Sequence, residues 1–233
     1  MAIREHSIYD CILRNALNLF GETALVSGDL RLTFSEIPIH VNCLARGLLN
    51  TGFEKGDRIA VLLNNCAEYA LLLAACSRIG VVVVCLNTRT SAGEMRMVLE
   101  STKPKVLLFQ TSFEQQAEEL RDVFPHRQFY CIDEASILST SFDQLLDENP
   151  APLTEPQPSV DEGWLIIPTA AVDGVPKGVL LSQRNVLASA SVHLNHFGRD
   201  AIKGHLLALP IFHVMGLTSA WATFISGGKN VVL

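Results

Sequence analysis

Residues 169–178 have the composition of a loop that binds an anionic ligand. The segment reads Thr-Ala-Ala-Val-Asp-Gly-Val-Pro-Lys-Gly and lies between two apolar runs that favour β-strands. An ordinary hairpin turn needs about two or three residues. A longer connection with Lys177 between a proline and a glycine is therefore typical of a loop shaped around a ligand. A surface loop whose lysine is only solvated explains the segment equally well, and the rest of the chain must distinguish the two hypotheses.

His213 is a second candidate for chemistry. It lies in the stretch Leu-Pro-Ile-Phe-His-Val-Met-Gly, residues 209–216, which predicts a turn that enters a helix. A histidine in this position can contact a substrate, but a histidine after an aromatic residue is also often a hydrogen-bonded core or surface residue. His193 and His196 lie three positions apart on a predicted helix and could face one metal ion. Because the sequence offers no third ligand nearby, we predict no metal site.

The charge and the cysteines of the chain exclude some partners and locations. The chain has 24 acidic and 18 basic residues, a net charge of −6 and no cluster of basic residues. This composition argues against nucleic acid or an anionic membrane as the main partner. The six cysteines are scattered through apolar segments without a Cys-x-x-Cys pair, which is typical of a reducing compartment. Since the N-terminus has no apolar signal core, we expect a cytoplasmic location.

One apolar stretch, residues 70–86, has nearly the length of a membrane span. Insertion would place Arg78 near the middle of the bilayer, at a cost of about 2.5–3.5 kcal/mol. Gly80 instead suits the end of a helix, and the β-branched residues after it favour a buried strand. We therefore predict a helix followed by a strand, and no transmembrane segment.

The elements that must position the loop and His213 alternate between strand and helix from Arg58 onward. Apolar periodicity predicts helices at residues 7–20, 37–49, 67–79, 92 onward, 112–123, 185–197 and 217–225. Shorter apolar runs predict strands at residues 24–27, 31–33, 58–63, 81–86, 106–109, 128–132, 164–168, 179–182, 205–209 and 229–233. Residues 33–36 and 91–94 each have the spacing of a capping box. The alternation predicts right-handed crossovers and an α/β fold with parallel-sheet layers covered by helices.

Two segments bear on the domain organisation. Residues 147–160 contain four prolines and few apolar side chains, which predicts a linker or an extended surface loop. The last residues predict an apolar strand, and natural domains seldom stop on such a strand. We therefore expect residues 1–233 to be the N-terminal fragment of a larger domain. An uncovered sheet edge in such a fragment would also permit a dimer caused by the truncation.

Four segments, taken in order, resemble the AMP-forming acyl-CoA synthetases of the acyl-adenylate-forming enzyme superfamily. Residues 32–63 resemble the opening block of that family, and residues 64–89, with the Asn-x-Arg form at 87–89, resemble its next block. Residues 169–178 resemble its phosphate-binding loop, and residues 209–217 resemble its acid-pocket motif. The resemblance covers almost the whole chain and implies the N-terminal portion of the adenylate-forming fold.

The resemblance implies an enzyme with two half-reactions. Such a ligase joins a small carboxylic acid to ATP with Mg²⁺, releases pyrophosphate, and passes the acyl group to the thiol of coenzyme A, as in fatty acid metabolism. It also implies that His213 borders the acid as a catalytic residue. The implied phosphate-binding residues are Thr169, Ala170, Ala171, Val172, Asp173, Gly174 and Lys177. The fragment alone is then expected to be inactive, because the other substrate contacts of the family would follow Leu233.

The loop also departs from the family pattern, which is Thr-Ser-Gly-(Ser/Thr)-Thr-Gly-x-Pro-Lys-Gly. Residues 170–173 are Ala-Ala-Val-Asp, so three hydroxyl groups and one glycine are replaced. Asp173 adds a negative charge beside the expected triphosphate, where a like-charge pair about 4 Å apart costs about 4 kcal/mol. Gln183 stands where the family often has histidine.

These departures motivate two further hypotheses. One is a degenerate homologue that binds an acyl ligand or a protein partner without adenylation. The other is an unrelated parallel α/β protein whose loop resembles the family by coincidence.

Overall fold

The computed structural model describes residues 6–124, 128–133, 139–170, 174–198 and 203–233. The helices in this part of the chain are α1 (Ile8–Asn18), α2 (Ile37–Asn50), α3 (Ala67–Ile79), α4 (Ala92–Thr102), α5 (Glu114–Glu119), α6 (Gln183–Phe197) and α7 (Val214–Ile225). The strands are β1 (Thr23–Ser27), β2 (Leu30–Thr33), β3 (Arg58–Leu62), β4 (Val82–Cys85), β5 (Val106–Phe109), β6 (Gln128–Cys131), β7 (Thr140–Ser141), β8 (Gly163–Pro168), β9 (Gly178–Ser182), β10 (Gly204–Leu207) and β11 (Lys229–Val232).

The larger of two sheets has the strand order β7-β6-β5-β3-β4-β8-β9. Its neighbouring strands are parallel except for the last pair, in which β9 runs antiparallel to β8. Strands β4 and β5 read Val-Val-Val-Cys and Val-Leu-Leu-Phe, and every residue in them is buried. Continuous apolar strands of this kind are typical of parallel sheets with helices on both faces. The predicted α/β fold with helix-covered parallel layers is confirmed.

A smaller sheet brings together the first and last strands of the chain. Its order is β10-β11-β1-β2, with β1 and β2 antiparallel and β11 parallel to both β1 and β10. Gly28 in the β1–β2 turn has a φ of 56°, a left-handed conformation that glycine adopts without a steric penalty. The predicted hairpin is confirmed. The pairing of Leu25 with Asn230 is a long-range contact that local periodicity does not predict.

Two apolar clusters cover opposite faces of the larger sheet. Along β3, Ile59 and Val61 belong to the cluster that also contains residues of α1, α2, α3 and the smaller sheet. Ala60 and Leu62 belong to the cluster that contains residues of α4 and α5. The alternation follows from the strand geometry, because successive side chains point to opposite faces. The larger sheet is therefore a central layer with a core on each side.

A buried tryptophan links the larger sheet to α3 and α7. Trp164 on β8 is 1% exposed, and its Nε1–H donates to the carbonyl oxygen of Leu73 at 2.9 Å. Its ring contacts the ring of Trp221 edge to face, with the ring centroids 5.6 Å apart. The strand that leads to the candidate loop is thus anchored in the core.

The proline-rich segment, residues 147–160, contains no helix or strand and lies against the N-terminal helices. Asn42 on α2 donates to the carbonyl oxygen of Pro150 at 3.0 Å. Arg78 on α3, which is 3% exposed, donates to the carbonyl oxygens of Leu153 at 2.8 Å and Glu155 at 2.7 Å. These contacts fix the backbone of the segment, so it is a packed surface loop in this structure.

The start of α2 differs from the predicted capping box. The carboxylate of Glu36 accepts hydrogen bonds from the N–H of Thr33 at 2.8 Å and from its hydroxyl at 2.8 Å. The Thr33 hydroxyl therefore acts as a donor, and α2 begins at Ile37 with a proline in its first turn. By contrast, the predicted capping box of α4 is confirmed, with reciprocal hydrogen bonds between Ser91 and Glu94.

The prediction of a single helix at residues 112–123 is wrong. The segment consists of a 3₁₀ turn at Thr111–Phe113, the short helix α5 and a second 3₁₀ turn at Arg121–Val123. Three glutamates lie within the six residues of α5, and Ala117 is its buried residue. Repulsion between like charges and the small buried surface explain why the α-helical part is short.

Candidate functional site

The candidate loop connects two antiparallel strands at the edge of the larger sheet. In the register of β8 and β9, Pro168 lies opposite Gly178. The N–H of Thr169 donates to the carbonyl oxygen of Lys177 at 2.8 Å, and the N–H of Lys177 donates to Oγ1 of Thr169 at 3.2 Å. These two hydrogen bonds close the base of the loop. The Thr169 hydroxyl keeps its own proton as a donor for a ligand.

Two glycines are required by the geometry of the loop. Gly174 has a φ of 84°, a conformation that residues with a Cβ rarely adopt. At Gly178 a Cβ atom would lie 2.7 Å from Cγ2 of Ile166, which is closer than real contacts allow. The sequence pattern Gly-Val-Pro-Lys-Gly therefore has a steric basis at both ends.

The ammonium group of Lys177 is accessible to a ligand. Lys177 and Gly174 are exposed, as are Thr169 and Ala170 at the other end of the loop. Lys177 forms no ion pair with any of the residues that the structure describes. Three predicted phosphate-binding residues, Ala171, Val172 and Asp173, lie outside the described residues.

His213 occupies the N-cap position of α7. Its Nδ1 accepts a hydrogen bond from the N–H of Met215 at 3.3 Å, which satisfies one of the unpaired N–H groups at the start of the helix. A neutral imidazole that accepts at Nδ1 carries its proton on Nε2. The Nε2–H group of this exposed residue is therefore the ring donor that does not take part in the cap. The predicted turn into a helix is confirmed, although α7 begins at Val214 rather than at Leu217.

A cleft of about 590 Å³ brings the loop and His213 together. One wall, which we call the loop wall, contains Pro168, Thr169, Ala170 and Pro176. A second part of the lining, which we call the histidine wall, contains His213 and Val214. Of the predicted site residues that the structure describes, Thr169, Ala170 and His213 line this cleft. Gly174 and Lys177 belong to the same loop but lie outside the lining.

Residues at the end of β4 and on α4 complete the cleft, and the sequence did not single them out as site residues. Asn87, Thr90 and Glu94 supply polar groups, and Met95 supplies apolar surface. The place of Asn87 in the sequence could have identified it as a site residue. It comes shortly after a buried parallel strand, and ligands bind at the carboxyl ends of such strands. Glu94 is the acidic side chain among the described lining residues.

Glu94 carries a negative charge in the cleft. Its carboxylate accepts from the N–H of Ser91 at 3.0 Å and from the Ser91 hydroxyl at 2.9 Å. Hydrogen bonds from the Ser91 backbone and side chain stabilise the ionised form and lower the pKa of this carboxyl from its ordinary value of 4.5. Glu94 is therefore ionised near neutral pH.

Gln183 is buried in the core and does not line the cleft. It is 2% exposed, and its Oε1 accepts from the N–H of Ile8 at 2.9 Å. Its Nε2 donates to the carbonyl oxygen of Ser77 at 3.0 Å. The amide thus joins the start of α6 to α1 and α3, which accounts for a glutamine at this position without a catalytic role.

The other sequence candidates have local partners. Nδ1 of His193 lies 3.1 Å from the carbonyl oxygen of Ser189, and His196 contacts the ring of Phe197 with centroids 4.8 Å apart. Within the described ranges no three His, Cys, Asp or Glu side chains are grouped as metal ligands. All six cysteines are unpaired, and burial raises the pKa of the Cys85 thiol to about 12.

The apolar stretch at residues 70–86 belongs to the core. It forms most of α3 and all of β4, as predicted, and Gly80 ends α3 with a φ of 77°. Among the described helices, none combines the length and the hydropathy of a membrane span.

Residues 14–233 match the family model described as AMP-binding enzyme. A 2-succinylbenzoate–CoA ligase from Bacillus licheniformis is 30% identical over 211 residues, which cover 90% of this chain and 41% of that protein. The fold resembles that of a candidate long-chain-fatty-acid CoA ligase from Rhodopseudomonas palustris CGA009, with a TM-score of 0.89 and 30% identity over 99% of this chain and 58% of that chain.

A second solved structure is similar and contains ligands. O-succinylbenzoate coenzyme A synthetase from Bacillus subtilis, in complex with ATP and magnesium ion, has a TM-score of 0.78 and 29% identity over 96% of this chain and 56% of that chain. The chain thus spans about half the length of the relatives that it matches.

Proposed function

Because the chain belongs to the AMP-binding enzyme family, we propose that residues 1–233 form the N-terminal part of the large domain of an AMP-forming acid–thiol ligase. The observation that carries this proposal is the shared cleft, in which Thr169 of the loop and His213 line one space. A phosphate-binding loop and an acid-binding histidine must face the same space if a carboxylate is to reach ATP. The complete active site then needs the half of the fold that the relatives have in addition.

The proposed reaction has two steps. A carboxylate oxygen of the acid forms a bond to the α-phosphorus of ATP, and the bond from that phosphorus to the departing pyrophosphate breaks. The thiol of coenzyme A then loses its proton and forms a bond to the acyl carbon as AMP leaves. Because negative charge moves between phosphate oxygens, positioning and cationic or N–H donors supply most of the catalysis.

The described donors of the candidate loop fit the polyphosphate of ATP. Lys177 offers an exposed ammonium group, Thr169 offers a hydroxyl proton, and the backbone around Gly174 offers N–H groups. Mg²⁺ would be held mainly by phosphate oxygens and would reduce their repulsion. Glu94 is the carboxylate of the described lining that is available to such an ion or to its water ligands. We propose Thr169, Ala170, Gly174 and Lys177, together with residues 171–173, as the phosphate-binding segment.

His213 is proposed to orient the carboxylic acid. Its Nε2–H donates a hydrogen bond to a carboxylate oxygen, while Nδ1 stays bonded to the N–H of Met215. A carboxylate is already ionised and nucleophilic near neutral pH, so His213 does not need to act as a base. Its contribution is to hold one oxygen while the other attacks.

The cleft favours an acid with an apolar body. Ile167, Val179 and Val214 contribute apolar side chains to its lining, and a cleft of this kind stabilises apolar ligand surface by removing it from water. A fatty or aromatic acid fits this chemistry, and we propose a role in fatty acid metabolism. The six unpaired cysteines support a cytoplasmic location, since thiols persist in reducing compartments.

The similarity to proteins named CoA ligases favours the ligase over the non-adenylating alternative. Ala170 lies in the lining of the cleft although it lacks the hydroxyl of the family pattern. The N–H groups and Lys177 are proposed to carry the phosphate contacts in its place.

Association of two copies is a further proposal. β9 is the edge strand of the larger sheet, and Val179 and Leu180 on it are 44% and 57% exposed. Open strand edges with apolar side chains tend to pair with another chain. Sedimentation of the 233-residue chain should show a dimer that the charged variant Leu180→Lys disrupts, and a monomer at all concentrations would contradict the proposal.

Thioester formation in the full-length protein tests the proposed function. The protein is incubated with ATP, Mg²⁺, coenzyme A and a panel of fatty and aromatic acids, and acyl-CoA is measured by mass spectrometry. We expect acid-dependent thioester and AMP in equal amounts, a strong loss in Lys177→Gln and no loss in Lys229→Gln, which changes an exposed lysine on β11. A folded protein that makes no thioester from any acid would contradict the proposal.

A further inference from the structure

Asn65, in the turn between β3 and α3, binds the backbone of the segment that leads to His213. Its Nδ2 group donates to the carbonyl oxygen of Leu207 at 2.8 Å and to that of Leu209 at 2.9 Å. Its Oδ1 accepts from the N–H of Ile211 at 2.7 Å. One side-chain amide thus holds three alternate residues of a segment that lies more than 140 positions away in the sequence.

The chemistry of this contact is specific to asparagine. Three hydrogen bonds need two N–H donors and one acceptor in a single plane, which a primary amide supplies. Aspartate has the same shape but no donor, and its charge would face two carbonyl oxygens. Glutamine would move the amide by one methylene. The segment that Asn65 holds contains a proline at 210, which cannot donate a hydrogen bond of its own.

The contact determines where the ring of His213 lies. The N–H of His213 donates to the carbonyl oxygen of Pro210 at 3.1 Å, so the residues that Asn65 binds lead directly into the N-cap of α7. The same segment packs on α7 so closely that a Cβ at Gly216 would lie 2.1 Å from the Pro210 oxygen. A shift of residues 207–211 would therefore move His213 relative to the loop wall.

We infer that Asn65 is a positioning residue, which holds His213 in register with the phosphate-binding loop so that the acid and ATP meet. This inference rests on the proposed function, in which His213 orients the acid. Asn65 contacts neither substrate in this scheme. It acts through the backbone of residues 207–211, and its effect on turnover passes through His213.

A double-mutant cycle tests this coupling in the full-length protein. We measure kcat/KM for acyl-CoA formation in wild type, Asn65→Asp, His213→Ala and the double variant. If Asn65 acts through His213, Asn65→Asp lowers kcat/KM by about tenfold or more in wild type and by less than about twofold in His213→Ala. Asn64→Asp, a matched change at the exposed neighbour, leaves kcat/KM unchanged. An equal loss in both backgrounds, or no loss in either, overturns the inference.

Two measurements test the positioning role of Asn65 without requiring enzyme activity. Hydrogen exchange of the amides in residues 207–213 should become about tenfold faster or more in Asn65→Asp, while exchange in the core strand β5 stays unchanged. The ¹⁵N resonances of the His213 ring should show Nε2–H in wild type and a mixture of tautomers in Asn65→Asp. Unchanged exchange and unchanged ring resonances would overturn the inference even if thioester formation had been found.

The two proposals fail in different ways. If wild type forms no thioester with any acid, the proposed function fails, and the exchange and ring measurements still show whether Asn65 positions His213. If thioester forms but the cycle shows independent effects, the proposed function stands and the role of Asn65 is limited to the stability of the fold.

Discussion

The two walls of the cleft are held in different ways. On the loop wall, the hydrogen bonds between Thr169 and Lys177 close the base, and the side chains of both residues are exposed. On the histidine wall, the amide of Asn65 and the close packing of Gly216 fix the backbone that carries His213. The difference teaches that changes to an exposed side chain of the loop, such as that of Lys177, should alter ligand binding and leave stability unchanged. Changes on the histidine wall should alter both.

The largest expected effect is that of Gly216→Ala on stability. A Cβ at this position would lie 2.1 Å from the oxygen and 2.6 Å from the carbon of the Pro210 carbonyl. Because backbone atoms must move to relieve this overlap, we expect a loss of about 3 kcal/mol in the free energy of unfolding. Urea unfolding measures it.

Gly93→Ala is the matched control for that change. Gly93 lies in the first turn of α4, and the nearest atom to its added Cβ is Oγ of Ser91 at 3.9 Å. Alanine should be neutral there or stabilise by up to about 1 kcal/mol. If Gly216→Ala behaves like Gly93→Ala, the histidine wall is less tightly packed than the structure indicates.

Lys177→Gln should have the largest effect on activity while the stability of the protein stays unchanged. We expect kcat/KM for ATP to fall about a hundredfold, because a donor to the phosphates is lost. The free energy of unfolding should stay within about 0.5 kcal/mol of wild type, since the side chain is exposed. Steady-state kinetics and urea unfolding on the same preparation test both parts, and a large loss of stability would remove the contrast between the walls.

Two substitutions of His213 should separate its roles as helix cap and as ligand. His213→Ala removes the acceptor for the N–H of Met215 and should cost about 1 kcal/mol of stability. His213→Asn supplies another N-cap acceptor and should keep most of that stability. Both variants should lose activity toward the acid, by about tenfold. Full activity in His213→Asn would mean that His213 acts only as the N-cap of α7 and does not bind the acid.

The smallest expected effect concerns Glu94, which also lines the cleft. Hydrogen bonds from the Ser91 backbone and side chain lower the pKa of Glu94 in the folded protein. A lowered folded-state pKa contributes stability above the unfolded-state value, and that contribution is lost as the pH falls through the folded-state pKa. Wild type should therefore be slightly more stable than Glu94→Gln at pH 7, and the difference should shrink as the pH falls below the ordinary value of 4.5 and vanish below the lowered pKa of the folded state. Thermal unfolding from pH 7 to pH 3 measures this difference. A difference that does not change with pH would contradict a stabilising role of the hydrogen bonds from Ser91 to the Glu94 carboxylate.

Elements with strong local signals were predictable from the sequence. The bounds predicted for α3 are those observed, because an apolar period and a terminal Gly80 define it. The bounds of β5 also agree, since Val106–Phe109 is a short apolar run between polar residues. The two-residue strand β7 was missed because it depends on pairing with β6 rather than on its own side chains. The assembly of the smaller sheet from the first and last strands was likewise set by tertiary contacts.

The same distinction between local sequence signals and tertiary contacts applies to the candidate site. Residue types and motif spacing were sufficient to propose Thr169, Lys177 and His213 as site residues. They were not sufficient for Asn65 or Glu94, because the role of an amide or a carboxylate depends on which distant groups it contacts. Asn65 stands in the sequence beside another asparagine, and only the fold shows which of the two reaches residues 207–211.

The central claim is that the candidate loop and the histidine wall hold the two substrates of one reaction. Acid-dependent exchange of pyrophosphate into ATP by the full-length protein tests it most directly, with KM measured for ATP and for the acid. We predict that Lys177→Gln raises KM for ATP and leaves KM for the acid unchanged, and that His213→Ala does the reverse. Exchange that needs no acid, or two folded variants with wild-type KM values for both substrates, would contradict the claim.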